Sequence, residues 1–240
     1  MKLDFRKNKG KIKNAIINVA DNSIIGNDFE IDFNNELFVI DQLTDDIFVL
    51  DENGTVKRVI KTETENGSGI TVGGGFIWTA CNGKASARPP RQYDNHVSKV
   101  RKIDPDTGET VGFFPTPDGG GIHGIEWDNG NIWLTAFNPK SLILIDGNTY
   151  EMLQTFPCNL NVLHGLAVDG NGIWCADRAE QIIVKFDKNT GNEIDRILLS
   201  KDGPDPHGLT IRDQELWYSD ADFPIVEGMR GYPEIGIIQR

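Results

Sequence analysis

Five segments of the chain align on an aromatic residue in the second of two short apolar runs. They read "DFEIDFNNELFVID" (28–41), "SGITVGGGFIWTAC" (68–81), "HGIEWDNGNIWLTA" (123–136), "HGLAVDGNGIWCAD" (164–177) and "HGLTIRDQELWYSD" (207–220). The aromatics Phe38, Trp78, Trp133, Trp174 and Trp217 stand 40, 55, 41 and 43 residues apart. Each copy is followed by a third apolar run such as "IFVLD" or "SLILID", and the first four by a further one such as "VKRVI" or "IDRILL". A unit of four short strands cannot bury its faces alone and must stack on copies of itself, which at this period is the pattern of a propeller blade. The expectation is an all-β chain forming one β-propeller domain over residues 1–240. It has five four-stranded blades that start near 28, 68, 123, 164 and 207.

The fifth copy ends after its third run. The segment "KIKNAIINVAD" (about 11–21) is expected to supply the missing outer strand of the last blade and so close the ring, which removes exposed sheet edges. Turn chemistry agrees with many short strands: 26 glycines and repeated Asn-Gly, Asp-Gly and Thr-Gly pairs supply the positive φ of tight hairpins. The one-per-blade aromatics are read as packing between blades. The stretches 104–108 and 187–191 are read as turns between third and fourth strands, since they lack the ligand spacing of a calcium loop.

The formal net charge of −12 argues against nucleic acid and anionic membranes as partners. No apolar run approaches the ~20 residues of a membrane span, and the N-terminus has no signal-peptide core. With three cysteines, Cys81, Cys158 and Cys175, too few and odd for a disulfide framework, the chain is expected in the cytoplasm. One segment departs from the acidic balance. Residues 82–102 hold Lys84, Arg88, Arg91, Lys99, Arg101 and Lys102 against Asp94 alone.

In a propeller the first strand of each blade lines the channel, so the starting positions form a ring: Asp28, Ser68, His123, His164 and His207. The remaining histidine, His96, lies in the insertion of blade two. Imidazoles converging from separate strands suit a divalent transition metal. A two-residue hairpin loop would set these positions opposite Asp41, Cys81, Ala136, Asp177 and Asp220, making Asp41, Asp177 and Asp220 candidate carboxylate partners of the ring. A purely structural use of the histidines, holding turns, is the competing reading, and Cys81 is a minor candidate nucleophile.

The blades "GIHGIEWDNGNIWLTAFNPKSLILID" and "HGLAVDGNGIWCADRAEQIIVKFDKNTGNEI" resemble those of the streptogramin lyase and NHL-repeat propellers, and the resemblance covers residues 25–240. It implies a propeller fold. That superfamily includes lyases, lactonases, amidating lyases with histidine-bound zinc, and protein-binding modules. Streptogramin lyases use magnesium and a histidine base on seven blades, whereas five copies and a richer histidine set stand here.

The function expected from these features is a metal-dependent lyase or hydrolase acting on a small anionic molecule. His123, His164 and His207 would bind the metal, zinc or iron ahead of magnesium, with Asp28 as fourth ligand or general base. His96 would be the acid/base partner on the covering loop, and Arg88, Arg91, Tyr93 and Arg178 would recognise the anion. The alternatives are a non-catalytic propeller binding a protein or ligand on its top face, and a non-haem iron oxygenase built on the same histidines.

Overall fold

The computed structural model describes residues 3–4, 36–51, 53–85, 88–201, 203–221 and 234–239, and within them every regular element is a β-strand. A two-residue strand, β1 (Leu3–Asp4), comes first. Blade one contributes β2 (Leu37–Asp41), β3 (Asp46–Leu50) and β4 (Val56–Ile60). Blade two is β5 (Gly67–Gly73), β6 (Phe76–Cys81), β7 (Lys99–Ile103) and β8 (Thr110–Pro115). Blade three is β9 (Ile125–Asp128), β10 (Asn131–Phe137), β11 (Lys140–Asp146) and β12 (Met152–Pro157). Blade four is β13 (Leu163–Asp169), β14 (Gly172–Asp177), β15 (Ile182–Asp187) and β16 (Glu193–Leu198). Blade five is β17 (Pro206–Arg212), β18 (Glu215–Asp220) and β19 (Glu234–Ile238).

Each blade is an antiparallel meander, and β5, β9, β13 and β17 adjoin one another in the middle of the molecule. The outer strands are the opposite case. In β4, β8, β12 and β16 exposed residues alternate with less exposed ones or dominate, as expected of strands with one face in water. The expected first strand of blade one near Asp28 and the expected closing strand at about 11–21 lie outside the described residues. β1 pairs antiparallel with β19, Leu3 opposite Ile235 and Asp4 opposite Glu234.

The inner hairpins turn as their sequences require. Asn129 and Gly130 both have positive φ (48° and 91°), the geometry of a two-residue turn whose twist matches the strands. Asp213 and Gln214 reach the same region (φ 50° and 65°) without glycine. The turns between third and fourth strands are held by aspartates. Asp104, Asp146 and Asp187 each accept two backbone N–H groups from the residues that follow, and those bonds lower their carboxyl pKa values.

Among the described residues the hydrophobic core forms five seams, one between each pair of neighbouring blades. Phe38 of blade one packs with Ile70, Val72, Ile77 and Ile103 of blade two. Trp78 packs into blade three, Trp133 into blade four, Trp174 into blade five, and Trp217 meets Leu37, Val39, Phe48 and Leu50 of blade one. The repeated aromatic therefore always faces the next blade, and the fifth seam returns to the first. Three of the indoles also bond back to their own hairpin, Trp78 donating Nε1–H to the carbonyl of Gly73, and Trp133 and Trp174 donating theirs to Asp128 and Asp169.

Candidate functional site

The end of the ring where the inner strands start carries the histidines. His164 and His207 are almost fully buried (4% and 2% exposed), and His123 is partly buried. Their rings form a row: 4.3 Å between the centroids of His123 and His164, 4.9 Å between those of His164 and His207. Phe137, at the end of β10, closes the His123 side edge-on at 5.3 Å.

The glycines after His123 and His164 explain this spacing. A Cβ on Gly124 would run into the carbonyl oxygen of His164, and one on Gly165 into the backbone of Gly208 and Leu209. Only glycine lets adjacent inner strands come this close, and the close strands bring the preceding imidazoles into contact.

The pairing register at the histidines differs from the simple hairpin expectation. Asp177 lies opposite Leu163 and Asp220 opposite Pro206, because a bulge shifts the ladder by one residue at the start of β13 and of β17. Ser68 sits in the same kind of bulge, with Gly67 opposite Cys81. A bulge re-aims the side chain it contains, and the paired carboxylates then find other partners. Asp177 accepts the N–H groups of Asn161 and Val162 at 2.6 and 3.0 Å. Asp220 accepts that of Asp205 at 2.7 Å, and Asp41 that of Leu43 at 2.9 Å. These aspartates hold loop amides, and the charge of Asp220 also acts on His207, the imidazole it was expected to partner. Burial pushes the Asp41 carboxyl up to about 6.

Burial also sets the state of the imidazoles. Desolvation, then the charges of His207 and Arg178, hold the pKa of His123 down at about 4; His164 and His207 are lowered from the same first cause. All three rings are neutral at neutral pH. Nδ1 of His207 lies 2.9 Å from the carbonyl of Asp205 and 3.5 Å from the backbone N–H of Ala221; the shorter contact makes Nδ1 the donor and puts the lone pair of that ring on Nε2. Nδ1 of His123 and of His164 is buried with no hydrogen-bond partner. Thr135 braces the row from behind, its Oγ1 accepting the N–H groups of His123 and Gly124 at 3.2 and 2.8 Å.

The other expected site residues divide. Arg178 stands beside the row, its Nε donating to Asp205 Oδ2 at 2.7 Å. Ser68 ties blade two to blade three by donating to the carbonyl of Ile122. His96 stands apart from the row on the insertion, where the buried carboxylate of Glu65 accepts both its backbone N–H (2.9 Å) and its Nδ1–H (2.8 Å). Arg88, expected on an open positive rim, is a buried strut with a side chain 5% exposed. Its Nε bonds Asp45 at 2.5 Å, and its Nη1 and Nη2 take both oxygens of Asp94 at 2.7 and 2.9 Å. Those bonds lower the Asp94 carboxyl to about 2, and its donors are committed to protein. Arg91 and Tyr93 pack against each other over the blade-one connection, and their partners include no histidine. Asp28 lies outside the described residues. Asp205, which holds both Arg178 and His207, and Thr135 were not foreseen; the only cues were the closeness of Asp205 to His207 in the chain and the place of Thr135 across the hairpin from Gly124.

Among the described residues no three His, Cys, Asp or Glu side chains are grouped to hold a metal ion. Cys81, Cys158 and Cys175 are buried free thiols, and burial raises the pKa of each, that of Cys158 to about 12, which makes none of them a ready nucleophile.

No protein-family model matches the sequence, and no curated protein matches it. Among solved structures, the crystal structure of Myxococcus xanthus glutaminyl cyclase is similar, with a TM-score of 0.63 at 9% sequence identity over 95% of this chain and 91% of that one. The chain is a five-bladed β-propeller. The likeness is one of fold, and it runs through nearly the whole length of both chains.

Proposed function

We propose that this propeller is an enzyme, a lyase or hydrolase, and that it acts on a small anionic molecule at the histidine row. One observation carries the reading: three imidazoles from three blades are in contact, held neutral, and two of them bury a ring nitrogen with no partner. A protein core leaves such atoms unpaired at a cost of about 1–3 kcal/mol each, which is tolerated where a ligand completes them. The overall likeness to a glutaminyl cyclase propeller supports an enzyme over an inert module.

The residues divide the work as follows. His207, its Nδ1–H fixed by the Asp205 carbonyl, presents Nε2 as a proton acceptor. His164 and His123, next in line, receive or supply hydrogen bonds to the reacting group and stabilise a proton taken up at His207. Arg178, oriented by Asp205, pairs the anionic end of the substrate. Burial of the row keeps water from competing for these hydrogen bonds.

A divalent metal of the zinc or iron type is a second reading, favoured by the unpaired Nδ1 atoms of His123 and His164 and by the neutrality of all three rings. His123, His164 and His207, with Asp28, would hold it. Bound there, it would supply Lewis-acid polarisation of a carbonyl or phosphoryl oxygen.

The test is a turnover screen of the purified, untagged protein on small carboxylates, phosphates and peptides with N-terminal glutamine. Metal content is measured on the same sample. The reading expects turnover that drops at least 100-fold in His207→Ala and in Arg178→Ala. Binding without turnover across the panel, or turnover indifferent to both substitutions, overturns it. Close to one zinc or iron per chain, lost in His164→Ala, selects the metal form.

A further inference from the structure

A second place in the molecule has the makings of a ligand site. A cleft of about 470 Å³ between blades one and two is lined by Thr44, Asp46, Lys61, Thr62, Arg91 and Tyr93, and no histidine borders it. We propose that this cleft binds a small molecule carrying a carboxylate or phosphate on a flat ring, independently of the histidine row.

The cleft wall is rigid for a reason that can be followed bond by bond. Arg88 fixes Asp94 through two hydrogen bonds, and Asp94 in turn accepts the backbone N–H of Arg91 at 2.6 Å. Arg91 and Tyr93, three residues and one residue before Asp94, are therefore set by a buried network although they face the surface. Preorganised side chains of this kind bind without a large ordering cost.

Arg91 is only partly engaged. Its Nη1 donates to the carbonyl of Thr62 at 2.9 Å and to the hydroxyl of Tyr93 at 2.8 Å. Its Nη2 lies 3.9 Å from Asp46 Oδ1, beyond hydrogen-bond reach, and the side chain is 22% exposed. One edge of the guanidinium is thus available to a planar or tetrahedral oxyanion. Lys61 stands across from it with its amine on Asp46 Oδ2 and a side chain 79% exposed. Two cations flank Asp46 here, while Asp45 and Asp94 behind them are held by Arg88, so the donors facing this end of the cleft are cationic even though the local charges balance.

Tyr93 supplies the surface for a ring. It is 46% exposed, large for an aromatic on a braced loop, and Arg91 lies 5.6 Å from its centroid. An offset-stacked ring there gains both aromatic contact and the neighbouring cation. The cleft continues past Tyr93 into a section of about 410 Å³ that adds Glu63, Thr107, Gly108, Glu109 and Thr110. The two glutamates repel an anion, so the charged end of the ligand is directed to Lys61 and Arg91.

Benzoate, phenyl phosphate and cyclohexanecarboxylate are the probes, titrated by calorimetry into the full chain and into Arg91→Ala, Tyr93→Leu and Arg178→Ala. Thermal midpoints of the variants are recorded alongside. Wild type is expected to bind benzoate or phenyl phosphate more tightly than cyclohexanecarboxylate, and whichever of the two binds names the oxyanion. Arg91→Ala should weaken that binding at least tenfold, Tyr93→Leu should abolish the preference for the flat ring, and the Arg91-dependent binding should persist in Arg178→Ala. If Arg91→Ala lowers the thermal midpoint sharply, the folded Tyr93→Leu variant decides alone. No binding at millimolar probe, or a loss confined to Arg178→Ala, overturns the site while leaving the histidine-row reading to its own test.

Discussion

The insertion of blade two and the histidine row of blades three to five lie at the same end of the ring, and they treat their polar groups in opposite ways. In the insertion Arg88 reaches two carboxylates at once, and Glu65 accepts the main-chain and ring N–H of His96. In the row, two ring nitrogens are buried and unpaired. A buried polar group with every bond made holds the fold, whereas one with a bond missing weakens it until something binds. The contrast separates the bracing loop from the site it stands beside, although both looked like clusters of charged and titratable residues in the sequence.

The sharpest way to break this contrast is Arg88→Ala. It leaves Asp45 and Asp94 buried without their cation, and the loss should be about 3–5 kcal/mol, read as a shift in the urea midpoint. A loss within 1 kcal/mol would place Arg88 among exposed ion pairs and erase the distinction.

The pH dependence is the next largest effect. His123 has a folded pKa of about 4 against 6.5 when unperturbed, so the unfolded chain takes up protons first as pH falls. The neutral ring's contribution is full above pH 6.5 and is lost as pH falls toward 4, by roughly 3 kcal/mol. Asp41, raised to about 6, works in the other direction over pH 6 to 3.8. The readout is therefore the difference between wild type and His123→Leu, measured at pH 7 and pH 4.5. The variant should lose less stability on acidification, and equal losses would remove His123 from the account.

Gly165→Ala tests what packs the row. Its Cβ would meet the backbone of Leu209, so a destabilisation of about 1–3 kcal/mol is expected, with weakened ring contacts seen as shifted imidazole NMR signals. The smallest effect belongs to His164→Leu. It removes a buried nitrogen with no partner, and stability should stay within about 1 kcal/mol of wild type or rise, while ligand or metal binding disappears. A large loss of stability would make His164 a structural residue like Arg88.

The fold was legible because its signals are local and repeated. Aromatic spacing, two-residue turns such as Asn129-Gly130 and the aspartate turns each act within a few residues of themselves. The ring of starting positions could also be read, since it follows from the repeat. What the sequence did not show was the one-residue bulge at Ser68, His164 and His207, beside which Asp177 and Asp220 accept loop amides. Nor could it show that Arg88 is consumed by Asp45, a residue 43 positions away. Long-range pairing of charges carries no period.

The five seams differ in one respect that matters to anyone following unfolding by light. Four of them hold an indole from the repeated position, Trp78, Trp133, Trp174 or Trp217, whereas the seam between blades one and two is built on Phe38. Tryptophan emission thus reports on four joints and is dark at the fifth. That dark joint is the one clamped by Arg88 and Asp45. Its opening would pass unseen in a fluorescence melt, and a reporter placed there, such as Phe38→Trp, would convert the silent joint into a visible one.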